Sequence, residues 1–271
     1  MSVASRTDLP QFERYIGIDY SGAKTATSSL KGLRVYMASR TSLPVEILPP
    51  HPPRSLRKYW TRRGIAEWLV TVFTENIPTI AGIDHSFSFP QKYFETHHLP
   101  PDWDIFLDDF QTHWPTDGDH ITVDAVRNGL HGNGNARLGN SRWRRIAEVR
   151  SFAKSAFHFD VPGSVAKSTH SGLPWLRHIR REVGSRVHFW PFDGWEIPAE
   201  KSALAEIYPS LWSKRFPQDD RTADQQDAFA GAAWLRNADQ SGELTRYFHP
   251  QPGPQNLTIA SDIEGWILGV L

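Results

Sequence analysis

Two apolar segments of this chain end in the same way, with an isoleucine followed by an aspartate. Residues 15–19 read YIGID and residues 79–84 read TIAGID. The alternation of the first segment and the continuous apolar run of the second are typical of β-strands. Between them, apolar residues recur at helical spacing and predict an amphipathic helix that Thr61 begins and Pro78 ends. A strand, a helix and a second strand predict a parallel pair joined by a right-handed crossover.

Such a pair would place Asp19 and Asp84 at one edge of the sheet. Open α/β sheets bind their ligands at the carboxyl ends of parallel strands. The alternative is that each aspartate only shapes the turn that follows its strand. A third predicted strand, residues 203–208, carries Glu206. This glutamate is either a further member of an acidic site or the partner of an arginine.

The last clear helix is predicted over residues 223–238. Thr222 and Gln225 fit a capping box at its start. Asp224 and Asp227, three residues apart, lie close together in its first turns. They either join the acidic edge of the sheet or compensate the positive end of the helix dipole.

The chain contains no cysteine, so thiolate metal sites and disulfides are excluded. Carboxylates that gather around one point repel each other unless a proton or a cation neutralises them. We therefore predict a divalent-metal site made by Asp19, Asp84, Asp224 and Asp227, with Glu206 beside it. Oxygen ligands favour hard ions such as Mg²⁺ or Mn²⁺. Two such ions about 3.5–4 Å apart can grip a phosphodiester and activate a water.

Lys and Arg total 30, as do Asp and Glu, so the net charge gives no overall attraction to nucleic acid. The basic residues nevertheless form three groups, each with a tryptophan in or beside it. Such groups suit contacts to phosphates and bases, and solvated helix faces produce the same pattern. The groups are Arg54, Arg57, Lys58, Arg62 and Arg63; Arg137, Arg142, Arg144, Arg145 and Arg150; and Arg177, Arg180, Arg181 and Arg186.

No apolar run approaches the roughly 18 residues that span a bilayer, so we expect no membrane partner. The first fourteen residues lack the apolar core of a signal peptide, which predicts a cytoplasmic protein. Residues 1–13 are predicted to be a loose arm, and the proline-rich residues 44–54 a surface connection. Strands are expected near residues 25–30 and 33–39, in an antiparallel meander with the first strand.

Five motifs, spread from residue 15 to residue 235, together resemble the domain of unknown function family numbered 429. This family is assigned to the ribonuclease H-like superfamily and is described as a predicted nuclease. The motifs are GIDYSGA, GIDHSFSFP, VHFWPFDGW, AEIYPSLW and DQQDAFAGAAWL.

The resemblance implies an α/β fold with a five-stranded mixed sheet of order 3-2-1-4-5 and helices on both faces. Residues 1–271 would form a single ribonuclease H-like domain, with residues 85–168 as a long insertion after strand four. It also implies a nuclease that cleaves DNA or RNA with Mg²⁺ or Mn²⁺. Asp19 would bridge two ions, Asp84 and Asp227 would each hold one, and Glu206 would hold or orient water.

Two other functions stay open. Actin-like ATPases and sugar kinases of the same superfamily also end their first strand in Asp-x-Gly, followed by a hydroxyl residue. Here Asp19 is followed by Tyr20 and Ser21, which delays the glycine by one position, and the chain shows no second copy of the fold. These differences favour a nuclease over an ATPase or phosphotransferase. The remaining alternative is a non-catalytic module that binds nucleic acid.

Overall fold

A computed structural model of the chain describes residues 11–50 and 58–271. Most of the predicted N-terminal arm, the end of the proline-rich connection, and the basic residues Arg54 and Arg57 lie outside these ranges. The described residues form seven strands and eight α-helices. The strands are β1 Arg14–Asp19, β2 Arg34–Ser39, β3 Val45–Glu46, β4 Thr79–Asp84, β5 Val187–Trp190, β6 Ser202–Ile207 and β7 Ile267–Leu268. The α-helices are α1 Arg62–Thr74, α2 Gln91–His97, α3 Trp103–His113, α4 Val123–Arg127, α5 Ile146–Arg150, α6 Ala166–Val183, α7 Ala223–Gln240 and α8 Glu243–Phe248.

All seven strands belong to one mixed sheet. Its order is β3-β2-β1-β4-β6-β5, and β7 pairs with the end of β6. β1 is antiparallel to β2 and parallel to β4, and β6 runs parallel to β4, β5 and β7. The α/β class, the mixed sheet and the flanking helices are therefore confirmed. The sheet has seven strands, where five were expected.

The predicted strand over residues 25–30 is wrong. The backbone there forms turns, and the second strand of the sheet is β2, Arg34–Ser39. The Leu30 N–H donates to the Trp60 carbonyl at 2.9 Å, and the Ser29 hydroxyl donates to the Tyr59 carbonyl at 2.8 Å. Because the segment just before α1 satisfies these groups, they do not enter a strand ladder.

The two helices with predicted N-caps, α1 and α7, begin where the sequence predicts. The Thr61 hydroxyl accepts from the Gly64 N–H at the start of α1. Thr222 and Gln225 form the predicted capping box at the start of α7. Each cap satisfies backbone donors that the first helical turn leaves free. The first residues of these helices therefore follow from signals a few residues long.

The helices cover both faces of the sheet. On one face, Ile18 and Ile83 pack in a buried cluster with residues of α1 and α6. On the other face, Tyr15 and Ala205 belong to a second cluster that includes Trp234 of α7. Strand alternation separates the two sets, because successive side chains point to opposite faces. No helix in the described part of the chain is both long and apolar enough to cross a membrane.

Residues 85–165, which contain α2 to α5, pack largely through aromatic side chains against α6. His170 of α6 is 1% exposed and lies at the centre of this packing. Five aromatic rings surround it, with centroid distances from 4.6 to 5.9 Å: Phe89, Phe110, Trp114, Phe157 and Phe159. That residues 85–168 are an insertion in a single domain stays a prediction.

Candidate functional site

Asp19 and Asp84 lie side by side at the carboxyl edge of the sheet. They are register partners in the parallel pairing of β1 and β4. Register partners on neighbouring strands point to the same face, which for this pair is the face that α7 covers. At Gly17, two residues before Asp19, an added Cβ would lie 2.2 Å from the Ala228 carbonyl oxygen of α7. Only glycine permits this approach, and it brings Asp227, the neighbour of Ala228, towards the strand ends.

The four aspartates act on each other electrostatically. Burial raises the pKa of Asp19 well above its ordinary value, and the charges of Asp84, Asp224 and Asp227 raise it further. A hydrogen bond from the Tyr20 backbone opposes this shift. The charges of Asp84, Asp224 and Asp227 therefore all act on Asp19.

The pKa values of Asp84 and Asp227 are also raised. Burial raises the pKa of Asp84 well above its ordinary value, and Asp227 and Glu206 add to the effect. Burial also raises the pKa of Asp227, with a contribution from Asp224, while a hydrogen bond with the Ser213 side chain lowers it. Like charges in a poorly solvated place favour the protonated form, and a bound cation would favour the ionised form instead.

The donor chemistry suits a hard divalent ion, since every candidate ligand is a carboxylate. The side chains are not gathered into a finished site, however. Within residues 11–50 and 58–271, no group of three or more His, Asp or Glu side chains is arranged to hold a metal ion. The fit is therefore one of donor type, charge and location. The predicted metal ligands stay a prediction.

Glu206 is not free to hold a water or a metal ion, because Arg145 and the backbone occupy its carboxylate. The Arg145 guanidinium donates to both Glu206 oxygens, and the Phe87 N–H donates to Oε2 at 2.9 Å. Its register partner is Ile83, so Glu206 lies on the α1 and α6 face of the sheet, opposite to the face of Asp84. The structure realises the alternative in which this glutamate pairs with an arginine.

Arg145 is the centre of a buried ionic network that the sequence did not reveal. It is 0% exposed, and its Nε donates to Glu148 at 3.1 Å. Its two Nη groups also donate to the Ser86 hydroxyl and the Glu264 carbonyl, at 3.1 and 3.0 Å. Its membership of a basic group suggested a surface residue. The only local signal was the spacing to Glu148, three residues on, whose carboxylate accepts from the Arg145 backbone N–H at 3.1 Å at the start of α5.

Arg62 likewise proves to be an internal residue. It is 0% exposed and donates to three carbonyls in the loop after β1, those of Ser21, Ala23 and Lys24, at 3.1, 2.7 and 3.0 Å. This arginine therefore shapes the loop that follows Asp19, and it is not available to an external phosphate.

The arginines of α6 are neutralised by carboxylates. Arg177 and Arg181 both pair with Asp108, at 2.6 and 2.7 Å, and Arg180 pairs with Asp104 at 3.0 Å. This helix therefore gives no support to a nucleic-acid surface. Within residues 11–50 and 58–271, Arg142 and Arg144 of the second predicted group form no ion pair with a carboxylate.

His85, which follows Asp84, points away from the candidate site. An added Cβ at Gly172 of α6 would lie 2.4 Å from its Nε2, and its ring packs edge-on against Tyr20 with centroids 4.7 Å apart. Burial lowers the pKa of His85 to about 4. It is a neutral packing residue in this structure.

A narrow cleft, with about 20 Å³ of space open to water-sized molecules, lies beside the acidic edge. It lies at the carboxyl ends of β4 and β6, where α/β sheets bind ligands. Asp84, Ser86 and Glu206 contribute to its wall, together with Tyr208 and Lys154.

No protein-family model, curated protein or solved structure matches this chain. The function is therefore inferred from the residues and geometry of the site.

Proposed function

We propose that this protein is a divalent-metal-dependent nuclease with a ribonuclease H-like fold, of the kind that the domain of unknown function family 429 is described to contain. One observation carries the proposal: Asp19 and Asp84 are register partners at the sheet edge, and the charge of Asp227 raises the pKa of both. The strand order supports it further. In this proposal β3, β2, β1 and β4 would correspond to strands 3-2-1-4 and β6 to the fifth strand, with β5 and β7 as additions.

Asp19, Asp84, Asp224 and Asp227 would hold Mg²⁺ or Mn²⁺. When bound, such ions act as Lewis acids on a phosphodiester and lower the pKa of a bound water. The protein's own contribution is to hold the carboxylates close together. Their repulsion costs free energy, and a bound cation would offset it. Since the pKa values of Asp19, Asp84 and Asp227 are raised in the absence of metal, metal binding should release protons and strengthen as the pH rises.

Glu206 receives a different role in this proposal. Its carboxylate is occupied by Arg145 and by the Phe87 N–H. Phe87 lies three residues after Asp84, so this contact holds the turn that follows β4. We assign Glu206 and Arg145 as positioning residues for Asp84.

Metal binding is the first test. Mn²⁺ is titrated into the full chain by calorimetry, and into the Asp19→Asn and Asp84→Asn variants. We expect binding in the unaltered chain and a loss of roughly ten-fold or more in each variant. Asp262→Asn is the matched control, because Asp262 is exposed and stands apart from the four aspartates. Binding that survives Asp19→Asn would contradict the proposed ligand set.

Turnover is the second test. Single-stranded DNA, duplex DNA and RNA are incubated with Mg²⁺ or Mn²⁺, and Asp19→Asn should abolish cleavage. Magnesium-stimulated ATP consumption would support the ATPase alternative instead. Nucleic-acid binding without cleavage of any substrate would support the binding module.

A further inference from the structure

Phe152 stands out on the surface beside the cleft. It is 90% exposed, and its φ of 56° lies in the left-handed region. Bulky residues rarely adopt this backbone conformation, because the Cβ approaches the following carbonyl. The next two residues, Ala153 and Lys154, line the cleft that also contains Asp84. A strained backbone that presents an apolar ring to water, next to a candidate site, suggests a binding role.

The surroundings hold Phe152 in this position. The Ser151 N–H and hydroxyl both donate to the Ala147 carbonyl of α5, at 2.9 and 2.7 Å. On the other side Ala153 is buried. α5 itself is tied to the sheet, because Arg145 donates both to Glu148 of α5 and to Glu206 of β6. The ring therefore projects from an anchored turn.

Unpaired positive charge surrounds this turn. Arg142, Arg144 and Lys154 are exposed, and within the described residues none of these three forms an ion pair with a carboxylate. Arg150 is also exposed, but its guanidinium donates to the Leu271 oxygen at 2.9 Å. The Lys154 ammonium donates to the Pro162 carbonyl, which leaves its charge uncompensated at the cleft. The three arginines of α6, in contrast, all pair with aspartates.

We propose that Phe152 and Lys154 form the entry surface for a single-stranded nucleic acid, with Phe152 stacking on an unpaired base and Lys154 contacting a backbone phosphate. This inference deepens the proposed function and rests on it for the fate of the strand in the cleft. Aromatic stacking combined with a basic track is the usual way to bind single strands without sequence preference.

The structure favours a single strand over the other candidates. In a duplex the faces of the bases are covered by their neighbours, so an isolated phenylalanine has nothing to stack on. A protein partner would need a continuous apolar patch of several hundred Å². Here the nearest exposed apolar side chain in sequence is Val149, and cations flank both residues.

The test measures binding without metal, so that no cleavage occurs. Fluorescence anisotropy of a short labelled oligothymidine is followed in EDTA with the full chain. Phe152→Ala should weaken binding by roughly 5-fold to 100-fold, the value of one stacked base, and Phe152→Trp should restore it. Lys154→Ala should weaken binding and reduce the slope of log K against log salt by about 0.7, the value for one phosphate contact.

Leu43→Ala is the matched control, because Leu43 is 72% exposed and follows β2 at the opposite edge of the sheet. It should bind like the unaltered chain. The proposal is overturned if Phe152→Ala binds the oligothymidine normally, or if that variant loses duplex and single-strand affinity equally. Since the assay contains no metal and measures no turnover, failure of the nuclease function would leave a positive result here intact.

Discussion

Asp19 and Asp84 are register partners on two adjacent parallel strands, and each is the last residue of its strand. The backbone ladder therefore holds two carboxylates as neighbours on one face, whatever their mutual repulsion. Burial raises the pKa of both residues well above the ordinary value; the charge of Asp84 adds to the shift of Asp19, and the charges of Asp227 and Glu206 add to that of Asp84. The electrostatic free energy of the pair is highest when both carboxylates are ionised and nothing neutralises them. A bound cation would lower this energy.

Asp19→Asn should stabilise the metal-free protein. Between the ordinary pKa and the raised pKa of Asp19, the native state binds more protons than the unfolded state. The free energy of unfolding therefore falls as the pH rises through this window. The variant removes that loss, so we expect a higher Tm near pH 8 and a smaller gain near pH 4. About 1 kcal/mol corresponds to roughly 2–4 °C for a chain of this size.

Thermal unfolding in EDTA measures this effect, and a second series with Mn²⁺ provides its counterpart. Manganese should raise the Tm of the unaltered chain and leave that of the variant nearly unchanged. If the variant is less stable than the unaltered chain at pH about 8, the proposed repulsion does not exist.

Arg145→Met should be strongly destabilising, by about 3–5 kcal/mol, because it leaves Glu206 and Glu148 buried without their cation. Adding Glu206→Gln should recover part of the loss, since one of the two stranded charges disappears. Urea unfolding of the single and double variants gives the coupling energy between the two residues.

Arg181→Ala is the control for this cycle. Arg181 pairs with Asp108 at 2.7 Å, but the two side chains are 55% and 50% exposed. An exposed pair contributes at most about 1 kcal/mol. Equal losses at Arg145 and Arg181 would show that burial of the network has no energetic consequence.

Gly17→Ala should push α7 away from the sheet. The added Cβ would lie 2.2 Å from the Ala228 oxygen and 2.4 Å from the Ala232 nitrogen, and backbone atoms cannot rotate aside. We expect a loss of about 1–3 kcal/mol in urea unfolding. Gly32→Ala, whose nearest neighbours lie at 3.5 Å, should cost little.

Because α7 carries Asp227, Gly17→Ala should also reduce the stabilisation by Mn²⁺. The comparison that matters is the Tm increase with metal in Gly17→Ala against that in the unaltered chain. An equal increase in both would mean that the position of α7 does not control the metal site.

His170→Phe should make the protein less sensitive to acid. Burial lowers the pKa of His170 from 6.5 to about 3. Between these values the native state binds fewer protons than the unfolded state, so stability falls as the pH falls, by about 1.4 kcal/mol per pH unit. The phenylalanine fits among the surrounding aromatic rings and does not titrate. Urea unfolding from pH about 6.5 to 4 should show a flatter acid limb in the variant, and an unchanged limb would contradict the assignment.

Several features of the fold follow from local sequence alone. Alternation and short apolar runs predict β1 and β4, and the caps at Thr61 and Thr222 predict where α1 and α7 begin. These signals work because strand periodicity and helix capping involve residues only a few positions apart. Two aspartates at strand ends could therefore be placed at one edge before the structure was known.

The tertiary structure alone decided how the acidic residues are used. The partner of Glu206 is 61 residues away along the chain, and no local pattern links it to Arg145. Residues 25–30 are a second case. Their pattern predicts a strand, but the Leu30 N–H donates to the Trp60 carbonyl, which is distant in sequence, and not to a neighbouring strand. Whether a charged side chain is a ligand, a buried partner or a solvated residue depends on what lies across the space in front of it. The spacing of residues along the chain carries no record of that.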